Sequence, residues 1–334
     1  MTIKDLARKT GYGVATVSRV LNNSPNVSEA APSTILRAAE ESGFQLNSNA
    51  KQLKQQHSNA ILVLVKGRSN ELFAEMVECI QTLTDQAHYV LHVDYMEENA
   101  NEVRRGVQLC RELKPLGILF LGGDSPNFVA DFKHIDVPCV LVTNDARELG
   151  FSNLSSVSTD DRKAARAAMD SLVALGHRQI AIVGGCKETS ITSLLRYQGC
   201  MDSLESHGIS FDEESSYRGV IFSYRNGYNA TKELVESGIK FTALFAAADV
   251  MAIGAIRALS DCGLRVPEDV SVIGFDGLPL GSYLVPQLST VAQSTQEMAR
   301  LSVEILLSQI NDGAKVRHES VPFALLQRES TCPI

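Results

Sequence analysis

The chain has 334 residues, 44% hydrophobic and 21% charged, which is the composition of a globular protein long enough for more than one domain. Its formal net charge of −8 excludes an evenly spread phosphate-binding surface. The charge is uneven, however: residues 1–56 hold seven Lys/Arg against four acids, a net +3 that leaves −11 for the remainder.

Ile3, Leu6 and Ala7, then Val14, Val17, Val20 and Leu21, recur at spacings of three and four, with Thr2 placed to cap the first helix and Gly11 separating it from the second. The second helix is expected to bury Val17, Val20 and Leu21. Its other faces carry Ala15, Thr16, Ser18, Arg19 and Asn22, which are short or hydrogen-bonding and suit a helix lying in the major groove. Ser28 is placed to cap a third amphipathic helix through Ile35, Leu36 and Ala39 that ends at Gly43, with Pro32 in its first turn, where a missing N–H costs little. On these residues alone the module could equally be a small helical cap with a solvated face. "FQLNSNAKQLKQQHSN", from Phe44 to Asn59, then reads as a polar linker in which Ala50, Lys51, Leu53 and Lys54 would form one short basic helix with a lone exposed leucine.

"TIKDLARKTGYGVATVSRVLNNSPNVSE" together with "LNSNAKQLK" resembles the DNA-binding headpiece and hinge of the LacI/GalR family of bacterial transcription regulators. The resemblance implies that Val14, Ala15 and Thr16 face bases, and that Ser18, Arg19 and Asn22 face bases or phosphates. It implies that Ala50 and Lys51 belong to the hinge and that Leu53 wedges between base steps from the minor groove. Three positions depart from the family: Gly13 stands for the usual Ser, Leu46 for Pro and Lys51 for Arg. Glycine can still cap a helix. Losing the proline frees the hinge backbone, and lysine cannot form a bidentate fork.

From Ala60, apolar runs alternate with helical patterns: "AILVLV", "FAEMVECIQTL", "YVLHV", a helix near Val103 to Leu113, "GILFL" and "CVLV". After Val157 the rhythm restarts with "AARAAMDSLVAL", "IAIVGG", "ALFAAA" and "VSVIGF". Continuous Val/Ile/Leu runs mark buried parallel strands, so two successive doubly wound α/β units are expected, with ligands taken at the strands' carboxyl ends in the cleft between them.

No motif supports an enzyme: G-x-G-x-x-G, the phosphate loop G-x-x-x-x-G-K-[ST], G-x-S-x-G and H-E-x-x-H are all missing. The seven cysteines are scattered without a C-x-x-C pair or a metal-ligand spacing, so they read as reduced core thiols, with no metal or cofactor expected. An apolar signal segment and a run of eighteen apolar residues are both missing, so a cytoplasmic protein with no membrane partner is expected.

"LGHRQIAIVGG", "FAAADVMAIGAIRAL", "GLRVPEDVSVIGFDGLPLGSYLVPQLSTV" and "LLQREST" extend the family resemblance over the body. It implies a dimerising body like periplasmic sugar-binding proteins, with two lobes joined by three crossovers. It also implies that Phe73 and Phe222 lay rings against an effector, and that Arg196 and Asp276 hydrogen-bond it. The alternatives are core packing for the two rings and an interlobe salt bridge for the charged pair. Asp249 reads as the cap of the helix that follows it, and His177, in a helix-to-strand turn, as a structural hydrogen-bonding residue. Ala248, Gly277 and Thr143–Asn144 replace polar residues common in the family, so a less polar pocket is expected.

The expected organisation is a helix-turn-helix headpiece at 1–46 and a hinge at 47–58. An α/β body at 59–334 follows, with lobe 1 at about 59–157 and 293–320 and lobe 2 at about 158–292 and 321–334. The expected function is a homodimeric repressor of a carbohydrate-use operon that binds a pseudo-palindromic operator and a small effector, a saccharide. The competing readings are a cytosolic solute-binding protein and a sugar-modifying α/β enzyme, each with an unrelated helical cap.

Overall fold

The computed structural model describes residues 3–21, 30–42, 59–67 and 70–334. They fall into two compact units, Met1–Ser58 and Asn59–Ile334.

In the first unit, α1 (Ile3–Thr10), α2 (Val14–Leu21) and α3 (Ala30–Glu41) enclose one small core of Leu6, Ala7, Val17, Val20, Ala31, Ile35 and Ala39. Gly11 turns the chain between α1 and α2 at φ 73°, a conformation that costs glycine little. The Gly13 carbonyl then accepts from Thr16 and Val17 to start α2. Two expectations change. Leu21 is only half-buried, and Leu36 is 51% exposed, because Ile35 and Ala39 already fill the inner face of α3. Thr2, Ser28 and Gly43 lie outside the described residues.

In the second unit the apolar runs become strands. Sheet 1 holds β1 (Ala60–Lys66), β2 (Val90–Met96), β3 (Gly117–Leu121), β4 (Cys139–Val142), β5 (Leu154–Thr159) and β11 (His318–Val321) in the order β11-β5-β4-β3-β1-β2, parallel throughout. Sheet 2 holds β6 (Ile180–Gly184), β7 (Tyr217–Gly219), β8 (Ala243–Ala246), β9 (Ser271–Asp276), β10 (Ser289–Gln293) and β12 (Phe323–Leu326) in the order β12-β10-β9-β8-β6-β7, with only β12 antiparallel. The inner strands β3, β4, β6, β8 and β9 are buried along their whole length, which is why they read as unbroken apolar runs.

The helices that matter below are α4 (Glu71–Gln86), α5 (Glu102–Leu113), α6 (Ser125–Asp131), α7 (Asp161–Ala174), α8 (Ile191–Ser206), α9 (Glu213–Ser216), α10 (Tyr224–Glu236), α11 (Asp249–Asp261) and α12 (Thr295–Asp312). The chain passes between the sheets three times: from β5 to α7, from β10 to α12, and from β11 to β12. In each sheet the strand order reverses beside the first strand, between β1 and β3 and between β6 and β8. Open α/β sheets bind ligands at such reversals, outside the carboxyl ends of the strands. No described helix is long and apolar enough to cross a membrane.

Candidate DNA face and effector cleft

On α2, Val17 and Val20 point into the core while Val14, Ala15 and Arg19 are exposed and Thr16 and Ser18 are half-buried. The helix therefore shows small side chains at its first turn and a cation at its last, and short side chains let a helix backbone come close to base edges. Exposed Lys4, Arg8 and Lys9 on α1 add positive charge to the same unit. Asn22, Ala50, Lys51 and Leu53 lie outside the described residues.

In the second unit the two reversals carry opposing sets of polar groups. Lys66 at the end of β1 is 7% exposed, and its ammonium bonds Glu102 at 2.7 Å and Asp124, beyond β3, at 2.5 Å. Glu102 also accepts from the Asp124 N–H and the Asn127 amide. Glu98 stands nearby and accepts the backbone N–H of Phe222 from the other lobe. Burial pushes its carboxyl up, and the Asp124 charge adds to the rise. Sequence reasoning missed this cluster, although a lysine closing an apolar strand run was a signal.

In lobe 2, Arg196 is 4% exposed in the second turn of α8. Its Nε donates to Asp161 Oδ1 at 2.7 Å and its Nη1 to the Ala247 carbonyl at 2.5 Å, and its guanidinium lies 3.7 Å over the Phe275 ring. Asp276 stands 3.6 Å from Nη1 and accepts from Gln293 Nε2 at 2.9 Å. The Arg196–Asp276 pair is therefore contained in one lobe and is not an interlobe bridge. Burial pushes the Asp276 carboxyl up to about 6 against the pull of Arg196. Burial likewise raises Asp161, again opposed by Arg196.

Asp249 is not a helix cap. The cap position of α11 is Ala248, which offers no side-chain bond. Asp249 instead accepts the Thr290 hydroxyl at 2.6 Å and the Leu278 N–H at 2.7 Å, because the chain leaving β9 buries backbone donors there. Burial, and secondly the Asp276 charge, push its carboxyl up to about 7.

The two aromatic residues differ. Phe73 is 5% exposed and belongs to the core, with its ring against Gly122 at the end of β3. Phe222 is half-buried at the lobe boundary, beside Gly185 and Ser193. A Cβ on Gly185 would stand 2.1 Å from Ser193 Oγ and 2.7 Å from the Phe222 ring, so only glycine fits there. The Ser193 hydroxyl is buried and has no hydrogen-bond partner among the described residues. Between the lobes, Thr192 donates to Asn144, and Tyr224 donates to Glu71. His177 bonds Thr242 and the Cys332 carbonyl, and burial pushes its imidazole down. A separate groove of about 610 Å³ runs between α4 and the start of α12, and Gln293, which lines it, also bonds Asp276.

A small helical unit whose second helix is exposed on its outer face, followed by a two-lobed α/β unit with a polar cleft, has the make-up of a ligand-responsive DNA-binding regulator. Residues 2–47 match the bacterial regulatory proteins of the lacI family, and residues 169–331 match the periplasmic binding protein-like domain. The HTH-type transcriptional regulator MalR of Clostridium butyricum is 34% identical over 99% of both chains. The repressor CytR of Escherichia coli K12 is 32% identical over 92% of this chain and 89% of its own. The lac repressor dimer bound to operator and an anti-inducer superposes with a TM-score of 0.79 at 27% identity, covering 99% of each chain. The regulator CelR in complex with cellobiose gives 0.71 at 27% identity, again over 99% of each. The chain belongs to the LacI family of bacterial transcription regulators.

Proposed function

We propose that this protein is a cytoplasmic, non-enzymatic homodimeric repressor of a carbohydrate-use operon, and that a small saccharide in the interlobe cleft sets its operator affinity. Residues 1–46 serve as the headpiece, 47–58 as the hinge and 59–334 as the effector-binding and dimerisation body. Val14, Ala15, Thr16, Ser18, Arg19 and Asn22 meet the operator from α2 and just beyond it, and Ala50, Lys51 and Leu53 meet it from the hinge. The observation that carries the effector reading is the pairing of the Arg196 guanidinium with Asp276, one donor and one acceptor at the strand ends of lobe 2, together with the half-buried Phe222 at the lobe boundary. Relatives supply its chemical class: a ribose operon repressor among the similar sequences, and regulators holding cellobiose or ribose among the similar structures.

Thermal-shift screening of the full chain against neutral mono- and disaccharides tests the reading. A ligand at a hundredfold its Kd adds about 2.7 kcal/mol of stability. Phe222→Ala is the control, since it removes the aromatic face without breaking a buried ion pair. A shift that Phe222→Ala leaves unchanged places the ligand elsewhere, and no shift with any sugar overturns the saccharide class.

A further inference from the structure

Both groups that the cleft offers a ligand are held by residues at lobe crossovers. Asp161, which opens α7 after the first crossover, holds Arg196, and Gln293, the last residue of β10 before the second, holds Asp276. The residues that follow Gln293 find partners at once. The Ser294 hydroxyl donates to the Pro322 carbonyl at the third crossover at 2.7 Å, and the Thr295 hydroxyl donates to Glu75 of α4 at 3.0 Å. The Gln293–Asp276 bond is shielded, with the two residues 8% and 6% exposed. Asp276 also sits at φ 122°, a conformation that side chains disfavour, so its bonds must hold this corner in place.

We propose that Gln293 is a positioning residue that links engagement of Asp276 in the cleft to the placement of α4 in lobe 1, through Thr295 and Glu75. The functional meaning of this link rests on the effector reading above. A ligand hydroxyl donating to Asp276 Oδ1 competes with the Gln293 amide for that oxygen. Releasing that amide relaxes the strand end from which Ser294 and Thr295 depart. Because Thr295 grips α4 and Ser294 grips the third crossover, a change at one carboxylate reaches two connections between the lobes. Such coupling needs an element that both ends bias, and the 293–295 segment has bonds at both ends.

The test uses the full chain without any ligand and reads amide hydrogen exchange over residues 71–79, with the core strands β1 and β3 as the internal reference. Asp276→Ala and Gln293→Met, which remove the acceptor and the donor in turn, should each accelerate exchange at 71–79 by about threefold or more, the size of interaction energies between coupled groups. The double variant should go no further than either single one. Thr295→Val should abolish the response of 71–79 to Asp276→Ala, and Gln293→Asn, which keeps an amide with a shorter reach, serves if the methionine variant does not fold. Unchanged exchange at 71–79, multiplicative effects in the double variant, or equal acceleration in β1 and β3 overturns the link. Coupled exchange in a protein that binds no saccharide overturns the effector reading and leaves the link standing. Saccharide binding with uncoupled exchange overturns the link alone.

Discussion

Thr192, in the first turn of α8, donates its hydroxyl to Asn144 beyond β4 at 2.6 Å, and Asn144 in turn donates its amide to the Gly123 carbonyl at 2.6 Å. One asparagine thus joins the lobe 1 strand ends to the helix that carries Arg196. Replacing Thr192 by valine keeps the shape and removes the donor, which should cost about 1 kcal/mol of body stability. It should also favour a more open body, measurable as an increased radius of gyration by solution scattering. An unchanged radius would mean that Glu71–Tyr224 and Glu98–Phe222 hold the lobes together without it.

Truncating Arg196 should damage more than ligand binding. Asp161 is 3% exposed and Arg196 is its ion-pair partner, so Arg196→Ala leaves a buried charge uncompensated at a cost of about 3–5 kcal/mol. The double variant Arg196→Met with Asp161→Asn should recover a large part of that loss in denaturant unfolding. If Arg196→Ala alone unfolds at the wild-type midpoint, the pair contributes nothing to the fold.

The body should lose stability as pH rises from about 4 to about 7. Asp249 and Asp276 are raised from 3.8 to about 7 and about 6, so the fold favours their protonated forms. Their contribution is complete below the unfolded value of about 3.8 and is lost as pH climbs from there through about 6 and then about 7. Asp249→Asn keeps an acceptor for the Leu278 N–H and removes one of the two titrations, so its stability profile should be flatter over this window. Parallel profiles for variant and wild type would assign the pH dependence to other groups.

The strands were legible because parallel sheets bury both faces, so β1, β3, β4, β6, β8 and β9 appear as short unbroken apolar runs. The helices α1 and α2 were legible from their three-and-four spacing. The site was less so. Arg196 and Asp276 could be picked out by their motifs, but their partners Asp161 and Gln293 come from distant crossovers that no local pattern marks. The Lys66–Glu102–Asp124 cluster combines one strand end, one helix start and one loop, and none is notable alone. Asp249 was misread because an acid at the start of a helix usually caps it. The buried N–H of Leu278, which claims it instead, becomes visible only after folding.

Leu53, in the expected hinge at 47–58, lies outside the described residues. If its side chain enters between base steps, Leu53→Ala should weaken binding to the specific operator by about 1–3 kcal/mol and leave binding to random DNA at matched salt almost unchanged. Equal losses on both DNAs would assign the leucine to packing within the protein.

Two valines of α2 make the last prediction, because they divide recognition from folding within one helical turn. Val14 is 43% exposed and Val17 is fully buried against Leu6 and Ile35 in the headpiece core. Val14→Ala should shift headpiece stability by less than about 0.5 kcal/mol, as surface changes do. It should still change the sequences recovered from a randomised DNA pool, because an apolar group at the start of a recognition helix reads thymine methyls at close range. Val17→Ala should behave in the opposite way, lowering headpiece stability by about 1–3 kcal/mol through the cavity it leaves while preserving the selected sequence in the fraction that folds. The wild-type pool should yield a two-fold pattern with half-sites about one helical turn apart, as a symmetric dimer requires. Recovery of the same sequences by wild type and Val14→Ala would remove α2's first turn from base recognition and shift the reading to Arg19 and the residues beyond it.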